Sequence, residues 1–96
     1  MKTLSPGSTR RLVHYAGRVQ GVGFRCSVQN IALQYNIAGY VRNLPDGRVE
    51  LLMEGVDSDL DKIAQRVAEK MAGFIQGTTI QTAPATGEFE QFTIRH

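Results

Sequence analysis

The segment from Gly17 to Arg25, with the sequence GRVQGVGFR, has the composition of an anion-binding loop. Its three glycines, Gly17, Gly21 and Gly23, permit positive φ angles, so consecutive backbone N–H groups can point into one concavity. The helix predicted to start after Gly23 adds its partial positive charge at the same place. We therefore predict that this segment, the glycine loop, holds an anion such as a phosphate, with Arg25 at its end.

Three known phosphate or nucleotide patterns can be compared with the glycine loop. A Walker loop ends in Gly-Lys-Ser/Thr, whereas Gly23 is followed by Phe24 and Arg25, which leaves no lysine for phosphates and no hydroxyl for magnesium. A dinucleotide fingerprint needs the spacing Gly-x-Gly-x-x-Gly, which these glycines do not have. An RNA-recognition motif places its Gly-Phe segment inside a central strand, whereas Gly23-Phe24 leads into a helix. RNA binding remains an alternative.

The periodicity of apolar residues predicts how the loop is positioned. A first strand is expected at about residues 11–17, immediately before the loop. After the loop, apolar residues on one helical face predict a first helix: Phe24, Val28, Ile31, Ala32 and Tyr35. Asn36 is expected to end this helix in a left-handed conformation. Strands at 37–42 and 48–56 are predicted to form a hairpin around the turn Leu44-Pro45-Asp46-Gly47.

The second half of the chain predicts one more helix and two short strands. Asp57-Ser58-Asp59 is expected to cap a helix over residues 58–72 and to place acidic residues in its first turn. Weaker alternation predicts strands at 77–82 and 89–95. The order is β-α-β-β-α-β with a short extra strand, which indicates an α+β, ferredoxin-like sandwich, an antiparallel sheet of four to five strands with two helices on one face. We expect one domain at residues 10–96 behind a flexible tail at residues 1–9.

Length, charge and cysteine content limit the classes of function. A chain of 96 residues can bury one core. Residues 1–48 hold seven basic and one acidic residue and residues 49–96 hold four basic and eight acidic residues, so the first half suits an anionic ligand. The single cysteine, Cys26, has no partner at metal-ligand spacing. No apolar run suits a membrane span or a secretory signal. We expect a cytoplasmic monomer without a metal site.

Two segments resemble the two signatures of the acylphosphatase family. The glycine loop matches the pattern Gly-x-Val-Gln-Gly-Val-x-Phe-Arg. The segment Gly39-Tyr40-Val41-Arg42-Asn43, followed by Gly47, Val49 and Gly55, matches the second pattern at the right spacing. The resemblance implies the ferredoxin-like fold and an enzyme that hydrolyses acyl phosphates to a carboxylate and inorganic phosphate.

The resemblance also implies the roles of individual residues. The phosphoryl oxygens would be bound by the Arg25 guanidinium, whose planar fork suits two oxygens. Five backbone N–H groups would assist it: those of Gln20, Gly21, Val22, Gly23 and Phe24. Asn43 would orient the attacking water, because an amide can accept from water while donating to a phosphoryl oxygen. The leaving carboxylate is weakly basic, so no general acid, cofactor or metal is expected.

One residue departs from the family pattern, and two alternatives stay open. Three residues after Arg25 the family commonly has threonine, whereas this chain has Val28, so a hydroxyl that could brace the loop is absent, with Ser27 as a candidate substitute. The first alternative is a non-catalytic ferredoxin-like module for RNA or a phosphate-bearing ligand. The second is a degenerate family member that binds phosphate or carbamoyl-phosphate-like ligands, or serves a larger maturation protein. His14 and His96 are expected to have no catalytic duty.

Overall fold

The computed structural model describes residues 7–96. The elements are, in chain order, β1 (Thr9–Gly17), α1 (Phe24–Ala32), β2 (Ala38–Asn43), β3 (Val49–Gly55), α2 (Asp57–Lys70), β4 (Ile75–Pro84) and β5 (Phe92–Arg95). This is the predicted order, and the α+β, ferredoxin-like fold is confirmed. Residues 1–6, most of the predicted tail, lie outside the described residues. β1 begins at Thr9 rather than near residue 11.

The strands form one sheet in the order β4-β1-β3-β2-β5. The first four strands in this order pair antiparallel, whereas β5 pairs parallel with β2. The predicted antiparallel sheet is therefore wrong at this edge, because the segment between β4 and β5 brings the chain back in the direction of β2. The register places both Tyr15 and Asn43 opposite Val49, and Arg42 beside Arg95. The ends of β1, β2 and β5 and the start of β3 therefore meet at one end of the sheet. We call it the loop end, because the glycine loop leaves β1 there.

Both helices pack on one face of the sheet because each carries an apolar stripe. The buried residues of α1 are Phe24, Val28, Ile31 and Ala32, and those of α2 are Leu60, Ile63 and Val67. The sheet residues in the same core cluster include Val13, Tyr15, Val41, Val49, Leu51 and Met53. Removing this apolar surface from water is the main stabilising contribution. It also fixes the N-terminus of α1 against the loop end of the sheet.

The other face of the sheet is crossed by residues 85–91, which connect the edge strands β4 and β5. Glu54 of β3 is 1% exposed and holds this crossover. Its carboxylate accepts from the backbone N–H groups of Thr86 and Gly87, each at 2.9 Å, and from Arg10 Nε at 2.7 Å. Burial raises the pKa of Glu54, but these hydrogen bonds outweigh burial and lower the pKa below its ordinary value. Glu54 is therefore a charged clamp for the crossover.

The crossover also covers the aromatic residue of β2 on this face. The Phe89 ring lies against the Tyr40 ring with 5.9 Å between centroids, and the Arg95 guanidinium stacks 4.1 Å from the centroid of Tyr40. Tyr40 is consequently 8% exposed. Its hydroxyl donates to Glu50 at 2.8 Å. The ring is thus part of the packed structure and not an open stacking surface.

Three local predictions were wrong. Among the described residues only glycines have positive φ, so Asn36 does not end α1 in a left-handed conformation; the chain instead tightens after Ala32, where Tyr35 N donates to the Ala32 carbonyl at 3.1 Å. The N-cap of α2 is Val56, without a side-chain cap, because the Asp57 carboxylate accepts from Thr9 Oγ1 at 2.6 Å. β4 has ten residues and is longer than the predicted strand at 77–82.

Candidate active site

The glycine loop joins β1 to α1 at the loop end of the sheet. Gly21 and Gly23 have φ angles of 78° and 74°, which residues other than glycine rarely adopt. Gly23 is the N-cap of α1, which has no side-chain cap, and its carbonyl accepts from Ser27 N at 3.0 Å. The loop therefore turns directly into the helix. The partial positive charge of the helix N-terminus faces the same region as the loop backbone.

The backbone N–H groups of the glycine loop are available to a ligand. Within residues 7–96, the N–H groups of residues 20–24 donate to no carbonyl or side chain of the protein, whereas Arg18 N, which precedes them, donates to the Phe74 carbonyl at 2.9 Å. Backbone donors in folded proteins are nearly always paired with protein or solvent. A run of five such donors at a helix N-terminus is the arrangement that binds phosphate oxygens.

The side chain of Gln20 ties the glycine loop to the turn between β2 and β3. Its Nε2 donates to the Leu44 carbonyl at 2.8 Å and to the Arg48 carbonyl at 2.9 Å. Leu44 directly follows Asn43, so this single amide connects the loop to the strand end that carries the asparagine. Sequence reasoning used only the backbone N–H of Gln20 and missed this contact, because no local pattern shows which carbonyls lie within reach.

Asn43 is the last residue of β2. Its side chain lies on the helix-bearing face of the sheet, because residues two apart in a strand share a face and Val41 is a core residue. Its Oδ1 is inaccessible to solvent and accepts no hydrogen bond from the described residues. A buried oxygen without a donor costs about 1–3 kcal/mol, so such an atom in a native fold requires an explanation. Its place beside the glycine loop supports a role in binding.

Arg25 is the second residue of α1 and is half-buried. Its Nη1 donates to the Arg95 carbonyl across a long 3.4 Å hydrogen bond and lies 3.3 Å from His96 Nδ1. Its remaining N–H groups make no hydrogen bond within residues 7–96. The C-terminal end of β5 therefore orients the guanidinium. Sequence analysis assigned no catalytic duty to His96 and could not indicate this contact, because it depends on the parallel pairing of β5 with β2.

A charged network lies behind the loop end, on the opposite face of the sheet. Glu50 is 7% exposed; Arg42 Nε donates to its carboxylate at 2.7 Å, and His14 Nε2 lies 2.9 Å from it. Burial raises the pKa of Glu50. Its hydrogen bonds with His14, Tyr40 and Arg42 outweigh burial and lower the pKa below its ordinary value, which keeps the carboxylate charged. Arg42 is thereby held on the face away from Asn43 and is neutralised there.

Among residues 7–96, no group of three or more His, Cys, Asp or Glu side chains is placed to hold a metal ion. No helix in this part of the chain has the length and apolarity to cross a membrane. Cys26 is a free, exposed cysteine.

Comparison with known proteins identifies the family. A family model described as Acylphosphatase matches residues 12–94. The chain belongs to the acylphosphatase family. A curated acylphosphatase of Rubrobacter xylanophilus is 38% identical over 93 residues, which cover 95% of this chain and 84% of the relative. The crystal structure of acylphosphatase from Bacillus subtilis has a TM-score of 0.82 at 30% identity and covers 92% of this chain and 99% of that one.

The fold also occurs within a longer protein. Full-length HypF, crystallised in a phosphate- and nucleotide-bound form, matches with a TM-score of 0.78 and 26% identity, covering 96% of this chain and 12% of that chain. The family and the enzyme class predicted from the two sequence signatures are confirmed: acylphosphatases are hydrolases of acyl phosphates.

The departure from the acylphosphatase pattern lies in the core. Val28 has no exposed surface and belongs to the core cluster beneath α1. Its isopropyl group fills apolar space between α1 and the sheet. A threonine at this position would place a hydroxyl in the same space. The position therefore contributes packing in this chain.

Proposed function

We propose that the protein hydrolyses acyl phosphates by direct attack of water on phosphorus, with the phosphoryl group held in the glycine loop. The observation that carries the proposal is the convergence of three groups at the loop end of the sheet. These are the unpaired N–H groups of residues 20–24, the Arg25 guanidinium, and Asn43 with its unbonded buried oxygen. Together they match what the transfer of one phosphoryl group requires.

Binding of the phosphoryl group uses charge and geometry together. The backbone N–H groups are rigid donors at a helix N-terminus, and Arg25 supplies a planar pair of N–H donors for two oxygens. These donors stabilise the charge that the phosphoryl oxygens carry as the bond to the acyl oxygen lengthens. Lysine at position 25 would supply charge but not the paired donors.

Asn43 would place the nucleophile. The Oδ1 is closed to solvent in this structure, so substrate binding would first have to turn the amide. The oxygen would then accept a hydrogen bond from water and the amide nitrogen would donate to a phosphoryl oxygen, which would hold the water in line with the leaving group. The water oxygen forms the new bond to phosphorus, the bond between phosphorus and the acyl oxygen breaks, and the carboxylate leaves with the electron pair. One water proton passes to a phosphoryl oxygen. The products are a carboxylate and inorganic phosphate.

The leaving group explains why no acid or metal is required by this scheme. A carboxylate departs without protonation, and the buried carboxylates nearest in the sheet, Glu50 and Glu54, face the opposite side and are fully engaged. We therefore expect an excess of chelator to leave the rate of benzoyl phosphate hydrolysis unchanged. Loss of activity that returns on adding a divalent metal would show that the metal-free scheme is wrong.

Substitution of the two side chains tests the scheme directly. Arg25→Ala and Asn43→Ala should each lower kcat/KM for benzoyl phosphate by about a hundredfold or more, since single positioning or charge-stabilising groups supply factors of this size. Arg66→Ala on α2 and the exposed Asn30→Ala on α1 are matched controls and should retain full activity. Either site variant working at the wild-type rate would remove its assigned role.

RNA binding is the alternative function from the sequence. The open aromatic surface that such a module uses is not favoured here, since Tyr40 lies beneath Arg95 and Phe89. A gel shift at physiological salt, run beside the hydrolysis assay, separates the two functions. RNA retention without hydrolysis of acyl phosphates would favour the binding module.

The second alternative is a degenerate family member that binds phosphate or carbamoyl-phosphate-like ligands without turnover. Steady-state kinetics distinguish it from the enzyme. Hydrolysis of benzoyl phosphate with little hydrolysis of p-nitrophenyl phosphate supports the enzyme, because an ester leaving group is more basic than a carboxylate. Binding of both without turnover supports the degenerate role. A reducing, cytoplasmic location is proposed with the enzyme, since the free Cys26 is exposed.

A further inference from the structure

An open cleft of about 390 Å³ lies between α1 and α2, and we call it the helix cleft. Its volume is in the range of small-molecule sites. Ile31, a core residue with 4% exposure, supplies the apolar part of its lining. The other lining residues are polar or charged: Asn30, Gln34, Arg66, Glu69 and Lys70. All of them lie outside the glycine loop, so the helix cleft is separate from the candidate active site.

The guanidinium of Arg66 is held in the helix cleft by two neutral groups. Its Nη1 donates to Gln34 Oε1 at 2.9 Å and to the Tyr35 hydroxyl at 3.2 Å. Gln34 is itself oriented, because its Nε2 donates to the Asn30 carbonyl at 3.1 Å. The Nε and Nη2 groups of Arg66 donate to no acceptor within residues 7–96. A planar pair of N–H donors is therefore fixed in direction and left free for a ligand.

The positive charges in the helix cleft are not compensated by the protein. Four other arginines pair with carboxylates, namely Arg10, Arg11, Arg42 and Arg48. In the part of the chain that the structure describes, no carboxylate lies within ion-pair distance of Arg66 or Lys70. Glu69 lines the same cleft, but its Oε1 accepts from Gln65 Nε2 on its own helix at 3.2 Å. Two cations thus face one carboxylate, and the cleft attracts anions.

Arg66 shares this arrangement with Arg25, the proposed phosphate ligand of the glycine loop. Arg25 is likewise oriented by a neutral acceptor, the Arg95 carbonyl, and keeps its other N–H groups free. An arginine that is oriented by neutral groups without being neutralised is prepared for an external anion, because its planar donors already have a direction. The chain therefore has two such arginines, one on each helix.

We propose that the helix cleft is a second anion site, which binds the phosphate group of a small molecule. The paired donors of a guanidinium alone satisfy the two oxygens of a planar carboxylate, whereas a phosphate dianion has further oxygens and a second charge. The Lys70 ammonium supplies the second cation, and the Asn30 amide supplies a donor from α1. The ligand is therefore inorganic phosphate or a small phosphate monoester.

The first test follows both anion sites by proton–nitrogen NMR of the isotope-labelled protein. Titration with inorganic phosphate, and separately with phenyl phosphate, should shift and saturate the signals of Arg66 Nε and of the Asn30 and Gln34 side-chain amides. The backbone N–H signals of residues 20–24 should follow a binding curve of their own. In Arg25→Ala the loop curve should weaken while the cleft curve stays unchanged. Failure of the proposed function at the loop is thereby distinguished from failure of the cleft site.

The second test removes one cation at a time. Arg66→Ala should raise the dissociation constant at the helix cleft by about tenfold or more, because charge-assisted hydrogen bonds are lost. Lys70→Ala, which removes no hydrogen bond of the described chain, should raise it by about three- to tenfold. Lys62→Ala is the matched control: Lys62 is exposed on the same helix but is not a lining residue. Its loss should change the constant by less than about twofold.

A third titration, with malonate, tests the choice of phosphate. Malonate is a dianion of two carboxylates and should bind the helix cleft about tenfold more weakly than phosphate. Saturating cleft signals that Arg66→Ala and Lys70→Ala weaken and Lys62→Ala does not support the proposal. Cleft signals that never saturate, equal weakening by all three variants, or equal affinity for malonate would overturn it. So would cleft shifts that vanish in Arg25→Ala, because they would then originate at the glycine loop.

Discussion

Gln20 should couple the glycine loop to Asn43, and Gln20→Ala tests this coupling. The substitution removes two hydrogen bonds, from Nε2 to the Leu44 carbonyl at 2.8 Å and to the Arg48 carbonyl at 2.9 Å. Neither carbonyl is left unpaired, because each still accepts a backbone N–H, that of Gly47 at 3.1 Å and that of Leu44 at 2.8 Å. The loss is therefore the net value of two ordinary hydrogen bonds, about 2 kcal/mol in the free energy of unfolding.

For a domain of this size, about 2 kcal/mol corresponds to a fall in Tm of roughly 10 °C. The effect on catalysis follows from geometry. Without the tie, the bound phosphoryl group and the water at Asn43 can shift relative to each other, and a misplacement of about 1 Å costs up to about a hundredfold in rate. We expect kcat for benzoyl phosphate to fall by about ten- to a hundredfold, with a smaller change in KM, because the N–H groups and Arg25 remain.

A double-mutant cycle with Asn43→Ala identifies the mechanism. If Gln20 acts through Asn43, Gln20→Ala should cost much less in kcat when Asn43 is already alanine, so the two effects on the activation free energy should not add. Full additivity would refute the coupling. A lower Tm with unchanged kcat would reduce Gln20 to a structural contact.

Three further predictions concern stability. Glu54→Gln should lower the free energy of unfolding by about 2–3 kcal/mol at pH 7, measured by urea unfolding. Because the folded pKa of Glu54 is lowered, its stabilisation is complete above the unfolded pKa and is lost as the pH falls. The difference in stability between wild type and variant should therefore shrink below about pH 4. Gly39→Ala should destabilise by about 3 kcal/mol or more, since φ is 144° and a Cβ would lie 1.9 Å from the Leu52 carbonyl oxygen, whereas Gly73→Ala, which meets nothing within 4 Å, should be neutral. Val28→Thr should lower stability by about 1–2 kcal/mol without changing kcat, because the added hydroxyl enters the core; a rate increase would instead support the missing-hydroxyl interpretation.

The fold could be predicted because a helix or strand that buries one face shows a clear apolar periodicity in the sequence. The stripe of α1 up to Ala32 and the hairpin around Gly47 follow from local patterns, and both are confirmed. Tyr35 was also assigned to the stripe but lies beyond the end of the helix. β4 was predicted too short because its residues are exposed on both faces, so no apolar alternation marks its ends. The predicted side-chain cap of α2 was wrong because the Asp57 carboxylate accepts hydrogen bonds from Thr9 and Arg11, which are far away in the sequence.

For the candidate site, the sequence could name the glycine loop, Arg25 and Asn43, because they lie in two short signatures. Their roles stay predictions. The groups that position them could not be named, since they depend on how distant strands pair. The hydrogen bonds of Gln20 require β1 and β2 to flank β3 with Tyr15 and Asn43 both opposite Val49. The contact of Arg25 with the Arg95 carbonyl requires β5 to lie parallel to β2.

The parallel pairing of β5 also explains two buried carboxylates in a domain whose proposed reaction needs no acid. β4 and β5 lie at opposite edges, so the chain must cross a whole sheet face before β5 can reach Arg25. A buried carboxylate that accepts several hydrogen bonds holds such a crossover in one place, since its alternatives would leave a charge unpaired. Glu54 fixes the crossover, and Glu50 binds Tyr40 beneath Phe89. Both residues therefore act on Arg25 only through the position of β5.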